Sequence, residues 1–504
     1  MRQDLPRRRF LQASAAIGLG SGLGFEVASI TPAKGEAMAL KPEAVRLRPE
    51  IEPTVRWIEE TPRDVILDTA IKHLRDGLSY RDLMAGLFLA GIRNIKPRPV
   101  GFKFHAVMVI HSAHLLGQTA DVDERLLPML WALDEFKSSQ AADEREGDWT
   151  LGNVDEARLP SPSNSKAAFV KAMEEWDADA ADAATASLCR SAGAAEVMEP
   201  FWRYAIRDQR NIGHKAIFAA QSWRTLQTIG WPNAEPVLRS LAFGILDRQG
   251  SPGRDVVGPY LTNLEVAQGL REGWSVGKPE AGATQSLIEM LRSAKPDTAS
   301  REVASLLNRG IAPEAVWDAI ILAGSELLLR KPGIVALHAM TSTNALHYIY
   351  QVSGDDLTRK LAILQAASWV AIFRESMGGS AALDLTSLSP IVSESKAEES
   401  LSQIFDTVGK NRQQAAARTL GFLDGGGTTE AVFARGRRLI FQKGRDSHDY
   451  KYAAAVWEES VLASDPKWRR LLTAASMGHF PASSTPDSPL MTRARKAVSE
   501  VLGK

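Results

Sequence analysis

The chain has 504 residues, of which 44% are hydrophobic and 24% are charged, as in an ordinary globular protein. Lysine and arginine together number 60, and aspartate and glutamate also number 60, so the formal net charge is zero. We therefore expect no nucleic acid or anionic membrane as partner, since both select a basic face. The single cysteine, Cys189, excludes an internal disulfide and a metal site built from cysteines.

The N-terminus resembles a twin-arginine export signal, because residues 7–11 read R-R-x-F-L and a weakly apolar, glycine-rich segment follows them. That segment is too short and too polar for a membrane span. We expect 1–38 to be a signal peptide and linker, cleaved between Ser29 and Met38. The protein would then pass through the twin-arginine translocon to a periplasmic or extracellular location, without a membrane span. A disordered basic tail is the alternative.

Apolar residues recur at three- and four-residue spacing along most of the chain, which predicts amphipathic helices. The segment 81–93, RDLMAGLFLAGIR, is an example. Alternating apolar and polar runs with turn dipeptides, which indicate β-strands, are almost absent. The predicted fold class is therefore all-α. Polar or glycine-rich segments predict long loops over 138–165, 248–285 and 380–395.

One helical unit is predicted to occur twice. The segment 77–116 matches 310–349 without a gap, and a similar match continues later in the chain with the register shifted by one position. The paired residues include Pro99 with Pro332, His105 with His338, His114 with His347, His214 with His448, and Trp223 with Trp457. Two unrelated helical segments can share apolar spacing, but spacing alone would not align prolines, tryptophans and histidines.

The duplication divides the chain into a first helical repeat, 39–247, a connector, 248–300, and a second helical repeat, 301–504. We expect two units of about 233 residues packed around a pseudo-twofold axis, as a toroid-like assembly or a bundle. Their equivalent histidine-bearing helices would meet at or near a central, histidine-lined cavity.

Three histidines lie in the otherwise apolar segment 102–116, FKFHAVMVIHSAHLL. His111 and His114 are three residues apart and share a helix face. His105 lies nine residues before His114, a rotation of about 180°, so one straight helix cannot direct both at one ion. Either the helix begins close to His105, or the two histidines serve different sides. In the second unit, Asn344 takes the place of His111.

His214 and His448 each precede an apolar helix, where the helix dipole lowers the pKa of an imidazole and favours its neutral form. Ser447 offers a simpler interpretation of the second position as a helix cap. Lys451, with a tyrosine on each side, gives the second unit polar groups that the first unit lacks.

Polar side chains on apolar helices cost free energy unless they are paired, so these matched positions indicate a polar site facing inward. Its histidines would ligate a metal or act as general acids and bases; alternatively, they only satisfy backbone groups or each other in the core. The candidate catalytic residues are His338, His448, Lys451 and His214. The candidate metal ligands are His105, His114, His338 and His347.

Four segments in this order resemble the questin oxidase-like family: the histidine-rich helix from His105 to His114, GHKAI at His214, HAMTSTNAL at His338, and HDYKY at His448. The resemblance implies a helical oxidoreductase with a Baeyer–Villiger-like, ring-opening activity on anthraquinones and no recognisable flavin-binding motif. It also implies NADPH as the reductant and carries over five positions: His105, His114, His214, His338 and His448. The export signal is a departure, because a periplasmic protein does not readily meet NADPH.

Three functions therefore remain open from the sequence. The first is an oxidoreductase acting on a hydrophobic or aromatic small molecule, with a transition metal as a possible cofactor. The second is a metal-dependent hydrolase or lyase that uses the same histidines. The third is a non-catalytic helical protein that serves as a scaffold or binds a ligand, in which the histidines are hydrogen-bonding groups of the core.

Overall fold

A computed structural model describes residues 43–248, 259–378 and 383–501. The all-α class is confirmed, because these residues form α-helices and short 3-10 turns, with two isolated bridges and no β-strand. The predicted signal peptide, 1–38, lies outside the described residues. Within them, no helix combines the length and the apolar character that crossing a membrane requires.

Eleven α-helices lie in the segment before residue 248. Their bounds are α1 Glu52–Glu60, α2 Ile66–Arg75, α3 Tyr80–Asn94, α4 His105–Met108, α5 Ile110–Gln118, α6 Leu127–Glu146, α7 Ser165–Glu175, α8 Ala178–Ser191, α9 Ala194–Ala205, α10 His214–Ile229 and α11 Ala234–Ile245. Helix α6 covers the first part of 138–165, so the predicted loop there begins only after Glu146.

Twelve more helices follow residue 259. Their bounds are α12 Tyr260–Gln268, α13 Ala281–Leu291, α14 Pro296–Asn308, α15 Pro313–Arg330, α16 Ile334–Val352, α17 Asp356–Ser376, α18 Ala397–Val408, α19 Arg412–Asp424, α20 Thr429–Lys443, α21 Ser447–Leu462, α22 Pro466–Ala475 and α23 Pro489–Val501. Three of them, α12, α13 and the first turns of α14, lie inside the predicted connector 248–300. The prediction of one long loop over 248–285 is therefore wrong for α12 and for the start of α13. Apolar residues of α12 such as Val266 and Ala267 are buried, and this burial outweighs the high glycine content of the segment.

The helices on the two sides of the connector follow the same order. Helices α1 and α3 pack together as α13 and α15 do, and α7 packs on α8 as α18 packs on α19. Helix α23 has no counterpart among the described helices of the first half; it packs on α2 and α6 and so joins the end of the chain to its beginning. This order agrees with the predicted duplication, which stays a prediction about descent.

Four helices form the centre of the molecule. Helix α10 packs on α16, α16 on α21, α21 on α5, and α5 on α10, which closes a ring of contacts. Two of these helices come from each predicted repeat. Every one of them carries histidines or other polar residues on a largely buried surface, so the polar positions of both halves face one common interior.

Candidate metal centre

Four histidines meet at one end of the central helices. His105 and His214 begin α4 and α10, His448 is the second residue of α21, and His338 lies one turn into α16. The ring centroids of His214 and His338 are 4.4 Å apart, and those of His105 and His448 are also 4.4 Å apart. All four side chains are buried. The imidazoles themselves therefore occupy the position where the sequence predicted a central cavity.

An interruption of the helix, between α4 and α5, lets His105 point into this group. Residues Phe102–Phe104 form a 3-10 turn, and Val109 interrupts the helix between α4 and α5. His114, on the far side of that break, points elsewhere: its Nδ1 lies 3.1 Å from the hydroxyl of Tyr80. The two histidines thus serve different sides of the segment, as their nine-residue spacing predicts.

Two of the imidazoles face each other through the same ring nitrogen. The Nε2 atoms of His214 and His338 are 2.8 Å apart. The Nδ1 atom of His214 lies 2.5 Å from the carbonyl oxygen of Asn211, and that of His338 lies 2.7 Å from the carbonyl oxygen of Ile334. A carbonyl oxygen only accepts, so both Nδ1 atoms carry a proton and donate it.

This tautomer assignment leaves a lone pair on each of the two facing Nε2 atoms. Burial lowers the pKa of His338 well below the ordinary value, and the neighbouring Lys451 lowers it further. Burial also lowers the pKa of His214 well below that value, and the neighbouring His338 adds to this shift. Both rings are therefore neutral at pH 7. Two lone pairs at such a short separation repel each other unless a cation lies between or beside them. A metal ion bound by both nitrogens satisfies this requirement.

His105 is the candidate for the third nitrogen. One ring nitrogen each of His105, His214 and His338 lie within 4.8 Å of one another. In a tetrahedral zinc site with ordinary metal–nitrogen bonds, neighbouring ligand atoms are about 3.3 Å apart. The 2.8 Å pair of His214 and His338 is within about half an ångström of that separation, and His105 would move inward to complete the site. Burial, followed by the charge of Lys451, holds the pKa of His105 well below its usual range and keeps this ring neutral as well.

Lys451 and His448 complete the polar surroundings. The Nζ of Lys451 lies 3.0 Å from Nδ1 of His105, and burial lowers the pKa of this lysine to about 7. His448 donates from Nδ1 to the carboxylate of Asp446, while its buried Nε2 has no hydrogen-bond partner among the described residues. Asp446 also caps α21, so the cap is this aspartate and not Ser447, which the sequence offered as an alternative.

The structure corrects the predicted ligand set in one respect. His114 and His347 do not join His105 and His338: Nδ1 of His347 lies 2.7 Å from a carboxylate oxygen of Glu459, and its ring stacks on Trp317. Nine residues of helix separate His338 from His347, which amounts to about 13.5 Å along the axis and half a turn around it. His114 and His347 belong to a second polar region further along the central helices.

Charged residues that the sequence analysis did not single out complete that second region. Arg224 of α10 pairs with Glu458 of α21 at 2.9 Å, and the amide of Asn344 donates to Glu459 at 2.8 Å. Arg224 and Glu458 occupy equivalent positions of the two predicted repeats, in the same register that relates His214 to His448. A search for opposite charges at predicted equivalent positions would have found this pair.

The turn before His214 contains Gly213, a position at which we expect a larger residue to destabilise the fold. Asn211, Ile212 and Gly213 all have positive φ, and a Cβ on Gly213 would lie 2.5 Å from the Cβ of Ser342 on α16. We expect Gly213→Ala to lower the free energy of unfolding by about 2 kcal/mol or more, because it adds both backbone strain and a clash between helices. Urea denaturation would measure the effect. Gly193→Ala, where the added Cβ meets open space, is the control; equal losses in the two variants would contradict the expectation.

Comparison of the chain with protein-family models, with curated proteins and with solved structures found no match. The site is therefore interpreted from its own residues: three neutral, buried imidazoles converge on one point, next to a lysine and a fourth imidazole.

Proposed function

We propose that this protein is an oxidoreductase whose active centre is a transition metal held by His105, His214 and His338. One observation carries the proposal: the Nε2 atoms of His214 and His338 face each other at 2.8 Å while both Nδ1 atoms donate to backbone carbonyls. Two buried imidazoles without a metal would be more stable if the N–H of one donated to the lone pair of the other. The arrangement is the one that a shared cation requires.

The donor set fits a redox metal. All ligands are neutral imidazole nitrogens, which suit copper, iron, nickel and zinc, and no carboxylate belongs to the three-histidine group. Bound copper or iron would supply electron transfer to and from a small-molecule substrate or oxygen. NADPH as reductant, an aromatic substrate and a relation to questin oxidase-like proteins stay predictions from the sequence resemblance.

The protein's own groups would prepare this chemistry. The carbonyl oxygens of Asn211 and Ile334 fix the tautomer and orientation of two ligands, because each accepts the Nδ1 proton. With a pKa of about 7, Lys451 gives or takes a proton at Nζ near neutral pH. Burial of all five side chains limits the access of water to the reacting atoms.

A metal-dependent hydrolase or lyase is the second candidate, favoured by His448. Its Nε2 has no partner among the described residues, and the Asp446 carboxylate orients the ring through Nδ1. A base held in this way beside a three-histidine site could take a proton from water or from a substrate carbon. In that case zinc, rather than copper or iron, would be the expected metal.

Metal analysis of the purified full-length chain tests the proposal. We expect about one transition-metal ion per chain by inductively coupled plasma mass spectrometry, lost on dialysis against a chelator and restored by copper or iron. Oxygen consumption with a quinone or aromatic ketone should follow the metal content. Bound zinc together with metal-dependent ester hydrolysis would favour the second candidate.

A protein that takes up no metal during reconstitution with copper, iron or zinc would contradict both enzyme candidates. The histidines would then be hydrogen-bonding groups of a ligand carrier or scaffold. Retained helicity by circular dichroism in the chelated sample is the control, since an unfolded chain could not report on the site.

A further inference from the structure

A second candidate site surrounds Trp176 at the end of α7. We propose that this site binds an oxyanion, the phosphate or carboxylate group of a small molecule. The proposal is independent of the metal. It concerns the basic cluster, which we define as Arg207, Arg210, Lys215 and Arg248.

All four cations surround the indole ring of Trp176. The guanidinium carbons of Arg207, Arg210 and Arg248 lie 4.1, 5.0 and 5.3 Å from its centroid, and Nζ of Lys215 lies at 5.4 Å. Each contact is within the range of a cation–π interaction. One aromatic ring thus gathers four positive charges into a small volume.

Four cations form the basic cluster, and three carboxylates lie around it: Asp208, Glu174 and Asp247, of which only Asp208 is buried. Arg207 is 3% exposed and Lys215 is fully buried, while Arg210 is 9% exposed. Buried Asp208 accepts from both Arg210 and Lys215 at 3.1 Å. Glu174 approaches Arg207 only at 4.0 Å and is itself largely exposed. Unbalanced charge in a protein interior is costly, and a bound anion would offset that cost.

Donor atoms in the basic cluster lack acceptors. The Nε and Nη2 atoms of Arg207 and the Nε atom of Arg210 are buried and have no hydrogen-bond partner in the described parts of the chain. Arg207 uses only Nη1, which donates to the carbonyl of Met173 at 3.1 Å. Adjacent Nε and Nη donors of one guanidinium match two oxygens of a phosphate or carboxylate.

The fold itself does not need these cations. In the register that pairs His214 with His448, the positions of Arg207, Arg210 and Lys215 correspond to Phe441, Gly444 and Asp449. The second half builds the same order of helices without a basic cluster at these positions. Stacking on an aromatic ring would stabilise one arginine, but it does not account for four cations at one ring. A ligand does.

The burial of the basic cluster selects a small ligand. Arg248 and Asp247 are only partly buried, so an oxyanion can approach beside them, whereas a nucleic acid backbone or an extended acidic peptide could not reach Arg207. Lys215 follows His214 directly on α10, so one helix carries a residue of the basic cluster and a residue of the three-histidine group. The anion could belong to the substrate of the metal centre or to a separate effector.

Thermal denaturation of the full-length chain at constant ionic strength tests the proposal. Inorganic phosphate, citrate and adenosine monophosphate are compared with chloride, to separate free phosphate, carboxylate and phosphomonoester ligands. We expect at least one of the three to raise the Tm in a saturable manner. No stabilisation beyond that of chloride by any of them, up to millimolar concentration, would overturn the proposal.

Variants assign the effect to the basic cluster. Arg207→Gln and, separately, Arg210→Gln should weaken binding of the stabilising anion about tenfold or more, since each removes a charged donor. Arg190→Gln is the matched control, because Arg190 is exposed and already pairs with Glu156 and Glu235. Equal affinity in wild type and in both cluster variants would also overturn the proposal. If one variant fails to fold, the other and the wild-type titration still decide the matter.

Discussion

His338→Ala is expected to lower the affinity of the protein for the proposed transition metal about a hundredfold or more. The change removes the Nε2 atom that lies 2.8 Å from Nε2 of His214. Two imidazoles bind a metal with lower affinity than three imidazoles do. Competition with a chromophoric chelator measures the affinity. The purified variant should also contain little metal.

A matched control separates ligation from general damage to the core. His114→Ala removes an imidazole that interacts with Tyr80 in the second polar region, outside the three-histidine group. It should leave the metal affinity within about twofold of wild type, even where its stability falls. Chelation should lower the Tm of the wild type and of His114→Ala but leave that of His338→Ala unchanged. Equal metal affinity in His338→Ala and wild type would refute the assignment.

The sequence predicts much of this site because histidine is rare in the chain and its positions recur at a fixed offset. Nine histidines occur, and four of them meet at the metal centre. The helical spacing left open whether His105 and His114 serve one site or two, and the predicted ligand set joined them; the structure separates them. His347 follows His114 away from the site, because nine residues of helix place it on the opposite face from His338.

Other features depend on tertiary contacts that no local pattern encodes. The helices α12 and α13 lie in a glycine-rich segment, and they form because neighbouring helices bury their apolar faces. The members of the basic cluster lie in the segment before α10, on α10 and after α11, and the ring of Trp176 that they surround follows α7, so these residues are scattered along the chain. Trp176 ends a helix in a left-handed conformation that propensity would assign to glycine.

Arg224→Ala is expected to lower the free energy of unfolding by about 3 kcal/mol, because it breaks a largely buried ion pair between the two halves. The guanidinium of Arg224 is 2.9 Å from Glu458 and stacks on Tyr348, with 4.0 Å between its carbon and the ring centroid. The variant leaves Glu458 without its cation in the centre of the molecule. Urea denaturation measures the loss. Arg190→Ala, which removes an exposed arginine with two carboxylate partners, should cost less than about 1 kcal/mol.

The double variant Arg224→Met/Glu458→Leu distinguishes the cost of an unpaired charge from the value of the pair itself. If most of the loss in Arg224→Ala comes from the unpaired carboxylate, the double variant should recover the greater part of the stability. An ion pair that contributes little to stability would then serve to fix how the two halves align. That alignment matters at the other end of the same helices, because His214 lies on α10 with Arg224 and His448 lies on α21 with Glu458. A double variant that keeps its stability but loses metal affinity would connect the charge pair to the metal centre through helix register.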